Sequence, residues 1–158
     1  MPRRSAGILL YRRTPAGSVE VLLAHPGGPI WERRDAGAWT LPKGEYEPGE
    51  DSEAVARREF EEETGNPAPD GPAIDLGEIR QKGGKIVAAW AIEGDLDPAL
   101  ASSNTFPLEW PPRSGRWIAV PEIDRVAWFS PDDARTRLKE TQVRLVERLL
   151  AVLGEQPA

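Results

Sequence analysis

The chain has 158 residues, 39% of them hydrophobic, and its 26 acidic side chains outnumber 20 basic ones for a formal net charge of −6. That length suits one domain with its own core, and the acidic balance excludes general binding to a nucleic-acid backbone, which needs a basic surface. The absence of cysteine excludes a disulfide framework, a thiolate metal site and a cysteine nucleophile, so a single domain over 1–158 in the reducing cytoplasm is expected.

The opening "MPRRSAGILLYRR" has basic residues, but its apolar run is short and more arginine follows, so neither a signal peptide nor a membrane span fits. "AGILLYRR" alternates Ala6, Ile8 and Leu10 against Gly7, Leu9 and Tyr11, and "SVEVLLAHP" follows the turn-like "TPAGS". The two read as strands of a hairpin. A loop rich in Gly, Pro and Arg, "GGPIWERRDAG", leads to the short apolar "AWTLP". A helix is expected at about 52–64, capped by Asp51 or Ser52, striped by Ala56 and Phe60 and stopped at Gly65.

Beyond a proline-rich loop, "DLGEIRQ" and "KIVAAWAIEG" read as strands around the turn "KGG". "DPALASSNTFPLEWPPRSG" is rich in turn formers and reads as one long functional loop. "RWIAVP" and "VAWFS" are two more short strands. Ser130 and Pro131 then open an amphipathic helix over about 131–153, with Leu145, Val146, Leu149, Leu150 and Leu153 on its apolar face and Thr141 the point at which it would break. Strand, strand, helix, strands, helix makes an α/β layered domain with a mixed sheet.

The stretch "GEYEPGEDSEAVARREFEEETG", residues 44–65, carries the chemistry. On a helix Glu59, Glu62 and Glu63 stand at i, i+3 and i+4, so their carboxylates share one face. Like charges so placed cost roughly 0.2–0.5 kcal/mol per pair. A divalent cation offsets that cost, since hard carboxylate oxygens suit Mg²⁺. The alternative is a solvated face on which Arg57 and Arg58 pair with Glu61 and Glu62 at i+4.

The spacing Gly44, five residues, Glu50, seven residues, Arg58-Glu59-Phe60-Glu61-Glu62-Glu63-Thr64-Gly65 resembles the Nudix box, the loop–helix–loop signature of the Nudix hydrolases, over residues 44–66. Every fixed Gly, Glu and Arg matches; Asn66, followed by Pro67, stands where the family has an aliphatic residue. The resemblance implies an α/β/α sandwich with a mixed sheet between helices, and hydrolysis of a phosphoanhydride with Mg²⁺ or Mn²⁺. It implies that Glu59, Glu62 and Glu63 ligate the metal, with the Gly44 carbonyl as a further ligand. It makes Glu59 the first candidate base, Arg58 the residue that orients the carboxylates and Glu50 a support for the loop. A further acidic residue late in the chain is expected, Glu122 ahead of Glu109.

The "LPKG" before the box resembles Nudix hydrolases of dinucleoside polyphosphates and of diphosphoinositol polyphosphates, which implies that Lys43 contacts phosphate. Arg33, Arg34, Lys82, Lys85, Arg113 and Arg116 form a basic set that either lines a polyphosphate path or is solvated. Of six tryptophans, Trp31 and Trp110 lie in loops, where they either stack on a nucleobase or pack under the loops; Trp90 and Trp128 lie in strand patterns and read as core. The lone His25 reads as structural. The expected partner is a nucleotide-type small molecule, with no stable nucleic acid and no membrane, for a monomer or a homodimer. First choice is a dinucleoside polyphosphate or related nucleoside polyphosphate. A sanitising nucleoside triphosphate pyrophosphatase comes second, a diphosphoinositol polyphosphate hydrolase third, and a nucleotide-binding sensor without turnover stands as the alternative class.

Overall fold

The computed structural model describes residues 2–154; the ends of the expected 1–158 domain, Met1 and residues 155–158, lie outside the described residues. Its centre is β1 (Arg4–Arg13), which pairs in parallel with β5 (Ile86–Glu93) from Arg4↔Ile86 to Tyr11↔Glu93. Every other pairing in the sheet is antiparallel. β4 (Ile74–Arg80) flanks β5, while β2 (Val19–Pro26) and β8 (Ile123–Phe129) complete the order β4-β5-β1-β2-β8. The alternation in "AGILLYRR" places its side chains on two buried faces, because helices cover both. Ala6, Ile8 and Leu10 pack on Val55, Ala56 and Phe60 of α1 (Ser52–Thr64). Leu9 and Tyr11 join Ala134 of α2 (Pro131–Arg137) and Leu145, Val146 and Leu149 of α3 (Val143–Leu153). This is the expected α/β/α sandwich.

One edge of β1 is shared by two partners, and the sheet divides between them. Tyr11–Arg13 pair with β2, and Arg4–Gly7 pair with β3 (Lys43–Tyr46), a strand that was not anticipated inside the loop of the box. Residues 39–42 fill the fork. Thr40 exchanges backbone hydrogen bonds with Ala24 at 2.7 and 2.9 Å, the Pro42 carbonyl accepts from Ile8 N–H at 3.1 Å, and Trp39 accepts from Lys139 N–H at 2.9 Å.

α1 keeps its expected bounds. Asp51 caps it by accepting from Ala54 N–H at 3.0 Å, and Gly65 ends it in the left-handed region at φ 72°. Asn66, the departure from the box pattern, ties this end down by donating to the carbonyls of Thr64 and Leu100.

Two expectations need correction. The single helix over 131–153 is instead α2, a 3₁₀ turn at 140–142 and α3. The break comes before Thr141, at Leu138 and Lys139, because the chain there turns extended to pair with Trp39. The long loop at 97–115 contains β6 (Thr105–Glu109), which forms a two-stranded ribbon with β7 (Trp117–Pro121). Pro107 is tolerated there because a two-stranded ribbon leaves an edge where its missing N–H is not needed.

Phe60 is fully buried between α1 and the sheet. Phe60→Ala should lower unfolding free energy by about 3–5 kcal/mol in urea titrations, the usual range for a cavity of that size.

Candidate active site

The fork in the sheet and the C-terminal half of α1 face each other across a cleft of about 490 Å³. From α1 come Glu59, Glu62 and Glu63; from β3, Lys43, Gly44 and Glu45; from the β7–β8 junction, Glu122; Asn104, Lys139 and Lys85, which pairs with Glu45 at 3.7 Å, also line it. Glu63 is only 9% exposed, and both its oxygens accept from the Lys43 backbone N–H, at 3.3 and 3.4 Å. Glu59 lies against Gly44 so closely that a Cβ there would stand 2.1 Å from the Glu59 carboxyl carbon. That contact, and not a turn, is why position 44 is glycine.

The arginines of α1 decide between the readings of its charge. Arg57 pairs with Glu53 at 3.1 Å and donates to the carbonyls of Pro69 and Gly71, away from Glu61. Arg58 reaches Glu50 at 3.3 Å and Glu59 at 3.8 Å. Neither makes the i+4 pair with Glu61 or Glu62 that the solvated reading requires, although Arg58 offsets part of the charge on Glu59.

Burial above all, then the charges of Glu62 and Glu122, holds the Glu59 carboxyl above its ordinary value, against the opposing pull of Arg58. Burial also lifts Glu63 to about 8, with Lys43 pulling it down and Glu122 and Glu59 pushing it up. Lys43 is pushed down to about 8, first by burial and then by Lys85 and Lys139, while Glu63 supports its charge. Each is desolvated beside a partner that helps it ionise. The donor set is all oxygen, which suits a hard divalent cation. Among the described residues no three His, Asp or Glu side chains are close enough to hold an ion as placed.

A second cavity of about 450 Å³ adjoins the first. Trp31, Gln81, Lys82 and Thr141 line it, and Lys139 lines both cavities. The Lys139 ammonium stands 5.3 Å from the Trp31 ring centroid and the Arg34 guanidinium 5.5 Å from it, distances at which a cation is attracted to the aromatic face.

The structure thus brings together Lys43, Gly44, Glu59, Glu62, Glu63 and Glu122, with Trp31 next door. It does not bring Arg33, Trp110 or Arg113 to either cavity. Arg33 borders a shallow depression over Trp39 and Phe129; Trp110 packs near Pro29 and Ile118. Arg113 lies exposed in the turn after β6, where Glu109 accepts from the N–H groups of Arg113 and Gly115. Glu109 is a turn cap. Trp90 and Trp128 pack against the core as expected, bonding Ser52 and the Leu96 carbonyl. His25 is buried, its Nε2–H donating to the Arg34 carbonyl at 2.6 Å and its Nδ1 3.0 Å from Asp124. Lys139, Asn104 and Gln81 were missed. Lys139 was hidden because a continuous helix leaves no reason to aim it at the box.

A mixed sheet forked at a carboxylate cleft, with Glu59, Glu62 and Glu63 on one covering helix, defines an α/β/α sandwich with an acidic site at its fork. The profile of the NUDIX domain matches residues 1–149. The chain belongs to that family and is a Nudix hydrolase. Its relatives include the asymmetrical bis(5'-nucleosyl)-tetraphosphatase of Rattus norvegicus, 28% identical over 151 residues that span 89% of this chain and 93% of the relative. The RNA pyrophosphohydrolase of Caulobacter vibrioides is 47% identical over 53 residues, 30% of this chain and 31% of its own. Among solved structures, a C. elegans Ap4A hydrolase binary complex superposes with a TM-score of 0.63 at 23% identity, covering 96% of this chain and 98% of that one. The NUDIX domain of Shewanella oneidensis NrtR complexed with ADP ribose gives 0.64 at 16% identity, covering 97% and 89%. Likenesses at such identities speak for the fold.

Gly44→Ala should push Glu59 aside and cost about 1–3 kcal/mol, as overpacking does. A melting temperature lower by about 2–10 °C in a thermal scan would match that cost.

Proposed function

We propose that the protein is a divalent-metal-dependent hydrolase of a dinucleoside polyphosphate or related nucleoside polyphosphate, giving mononucleotide products. The observation that carries this reading is the junction of two cavities at Lys139, one walled by carboxylates and lysines, the other by Trp31. A polyphosphate needs cations along its length and a nucleoside needs an aromatic face; the two cavities supply them side by side. The name of the rat relative points to the same substrate class.

Glu59, Glu62 and Glu63 would hold Mg²⁺ or Mn²⁺, with the Gly44 carbonyl and Glu122 as further donors. When bound, such an ion supplies neutralisation of phosphate charge and acidification of water. Glu59 takes the proton of the attacking water as its oxygen bonds to phosphorus, and the anhydride P–O bond on the far side breaks, with the pair leaving on the departing phosphate. A carboxyl held above its ordinary value by burial is a stronger base than a solvated one. Arg58, between Glu50 and Glu59, keeps the base oriented. Lys43, Lys85 and Lys139 line the phosphate path, and Trp31 stacks on the base. Arg33, Trp110 and Arg113 would reach only a longer substrate.

Three results test the reading. Glu59→Gln should lower kcat by about 10²–10⁴-fold, the span of general-base catalysis. In a panel of diadenosine polyphosphates, ordinary and oxidised nucleoside triphosphates and a diphosphoinositol polyphosphate, product chromatography should show preferred cleavage of the first, lost in Glu63→Gln. Preference for oxidised triphosphates would replace the reading with a sanitising pyrophosphatase, and metal-independent binding with no turnover would replace it with a sensor.

The third result is thermal. Glu63 must shed its proton before it ligates, and its folded value near 8 means that Mg²⁺ binding tightens as pH rises toward 8. In the metal-free protein the sign is opposite. A carboxyl raised by folding contributes stability fully present below its ordinary value of 4.5 and lost as pH rises toward about 8. A hundredfold excess of Mg²⁺ over Kd should therefore raise the melting temperature by about 5–10 °C at pH 8. The rise should shrink at pH 6.5 and disappear in Glu63→Gln.

A further inference from the structure

From Trp39 to Lys43 the chain has four backbone N–H groups, Pro42 having none. Trp39 donates to the Arg137 carbonyl at 3.0 Å and Thr40 to the Ala24 carbonyl at 2.9 Å. The other two donate to side chains. Lys43 N–H goes to Glu63, and Leu41 N–H goes to Gln142 Oε1 at 3.1 Å. Glu63 and Gln142 therefore set the two ends of the Leu41–Pro42–Lys43 step that carries Lys43 into the cleft. Glu63 is a proposed metal ligand, whereas Gln142 comes from the far side of the molecule, at the start of α3.

Gln142 is fully buried and its amide is saturated. A backbone N–H can only donate, so the contact with Leu41 fixes which end of the amide is oxygen. Nε2 then donates to Thr40 Oγ1 at 2.9 Å, a hydroxyl that also lies 3.2 Å from Oε1, and to Gln81 Oε1 at 3.1 Å. Gln81 is part of the wall of the Trp31 cavity. One amide thus joins that wall to the backbone two residues before Lys43, with Pro42, whose ring fixes φ, as a stiff link between them.

We propose that Gln142 is a positioning residue that couples filling of the Trp31 cavity to the placement of Lys43 in the carboxylate cleft. This rests on the reading above, that the cavity takes the nucleoside end of the substrate. A base stacked on Trp31 presents its polar edge to Gln81, competes for or reinforces the Gln81 oxygen, and so changes what Gln142 offers to Thr40 and Leu41. The phosphate path is then completed only when a nucleoside is in place, so a nucleoside polyphosphate is favoured over a bare polyphosphate of the same charge.

Adenosine is the probe, because it has no phosphate and cannot touch the cleft through one. In ¹H–¹⁵N spectra of the full chain, adenosine should shift the amide of Gly37, which lines the cavity, and those of Leu41 and Lys43 with the same midpoint. Gln81→Leu, a change at a half-buried position that spares the core, should keep the Gly37 shift and lose most of the Leu41 and Lys43 shifts. Gln81→Glu should restore them, because a carboxylate oxygen still accepts from Gln142 Nε2. Full shifts at Leu41 and Lys43 in Gln81→Leu, or none there in the natural protein while Gly37 moves, would overturn the coupling and leave the nucleoside reading intact. An unmoved Gly37 would overturn the nucleoside reading itself, and the coupling with it.

Discussion

Glu63 brings a carboxylate to the place where the central sheet divides and sets it on the backbone N–H that begins β3. Much else follows from that contact. It joins α1 to the fork, so the carboxylate helix cannot slide along the sheet without losing an acceptor that is almost wholly out of water. A lost acceptor of that kind leaves a buried donor unsatisfied, at about 1–3 kcal/mol. It also places Lys43 and Glu63 in one desolvated neighbourhood, where each is shifted from its ordinary value and each favours the other's charge.

The mixture of signs in the cleft suits a substrate that brings its own negative charge along with cations. Glutamates alone would repel polyphosphate, and lysines alone would bind it with no means of polarising the bond to be cut. Here Glu59, Glu62, Glu63 and Glu122 face Lys43, Lys85 and Lys139 across one space, within a chain whose total charge is −6. The positive side of the site is therefore a local concentration that the composition conceals. Burial strengthens these interactions, since few waters remain to screen them.

Much of this was legible in the order of residues, and the unread parts share a cause. α1 was legible because cap, apolar stripe and stop all lie within fifteen residues of one another, as do the three glutamates whose spacing puts them on one face. β1, β2, β4 and β5 were legible through alternation and the turns between them. What stayed hidden depends on partners far along the chain. β3 exists because Gly44 and Glu45 meet Ala6 and Ser5, and "KGEY" has no strand pattern of its own. The helix break at Leu138 exists because Trp39 offers a backbone partner about a hundred residues earlier, so the sequence pattern set it near Thr141 instead. Lys139 and Gln142 follow that break into the site, and neither belongs to a local motif. Trp31 was singled out by its loop setting; Trp110 had the same setting and was carried elsewhere by the β6–β7 ribbon.

The buried His25 has a consequence for how this molecule can change over time. The loop after β2 is tied at Gly27, whose N–H donates to the Glu122 carbonyl, at Arg34, whose carbonyl accepts from His25, and at Gly37, whose N–H donates to Thr136. Between the first two ties runs a short span, turned on itself by the Trp31 N–H bond to the Gly28 carbonyl, that holds Trp31 and no glutamate of the cleft. An exchanged aromatic at Trp31 would touch neither mooring nor any glutamate of the cleft. On the proposed reading, substitutions in this span would alter the face offered to a nucleoside while leaving the carboxylate helix untouched.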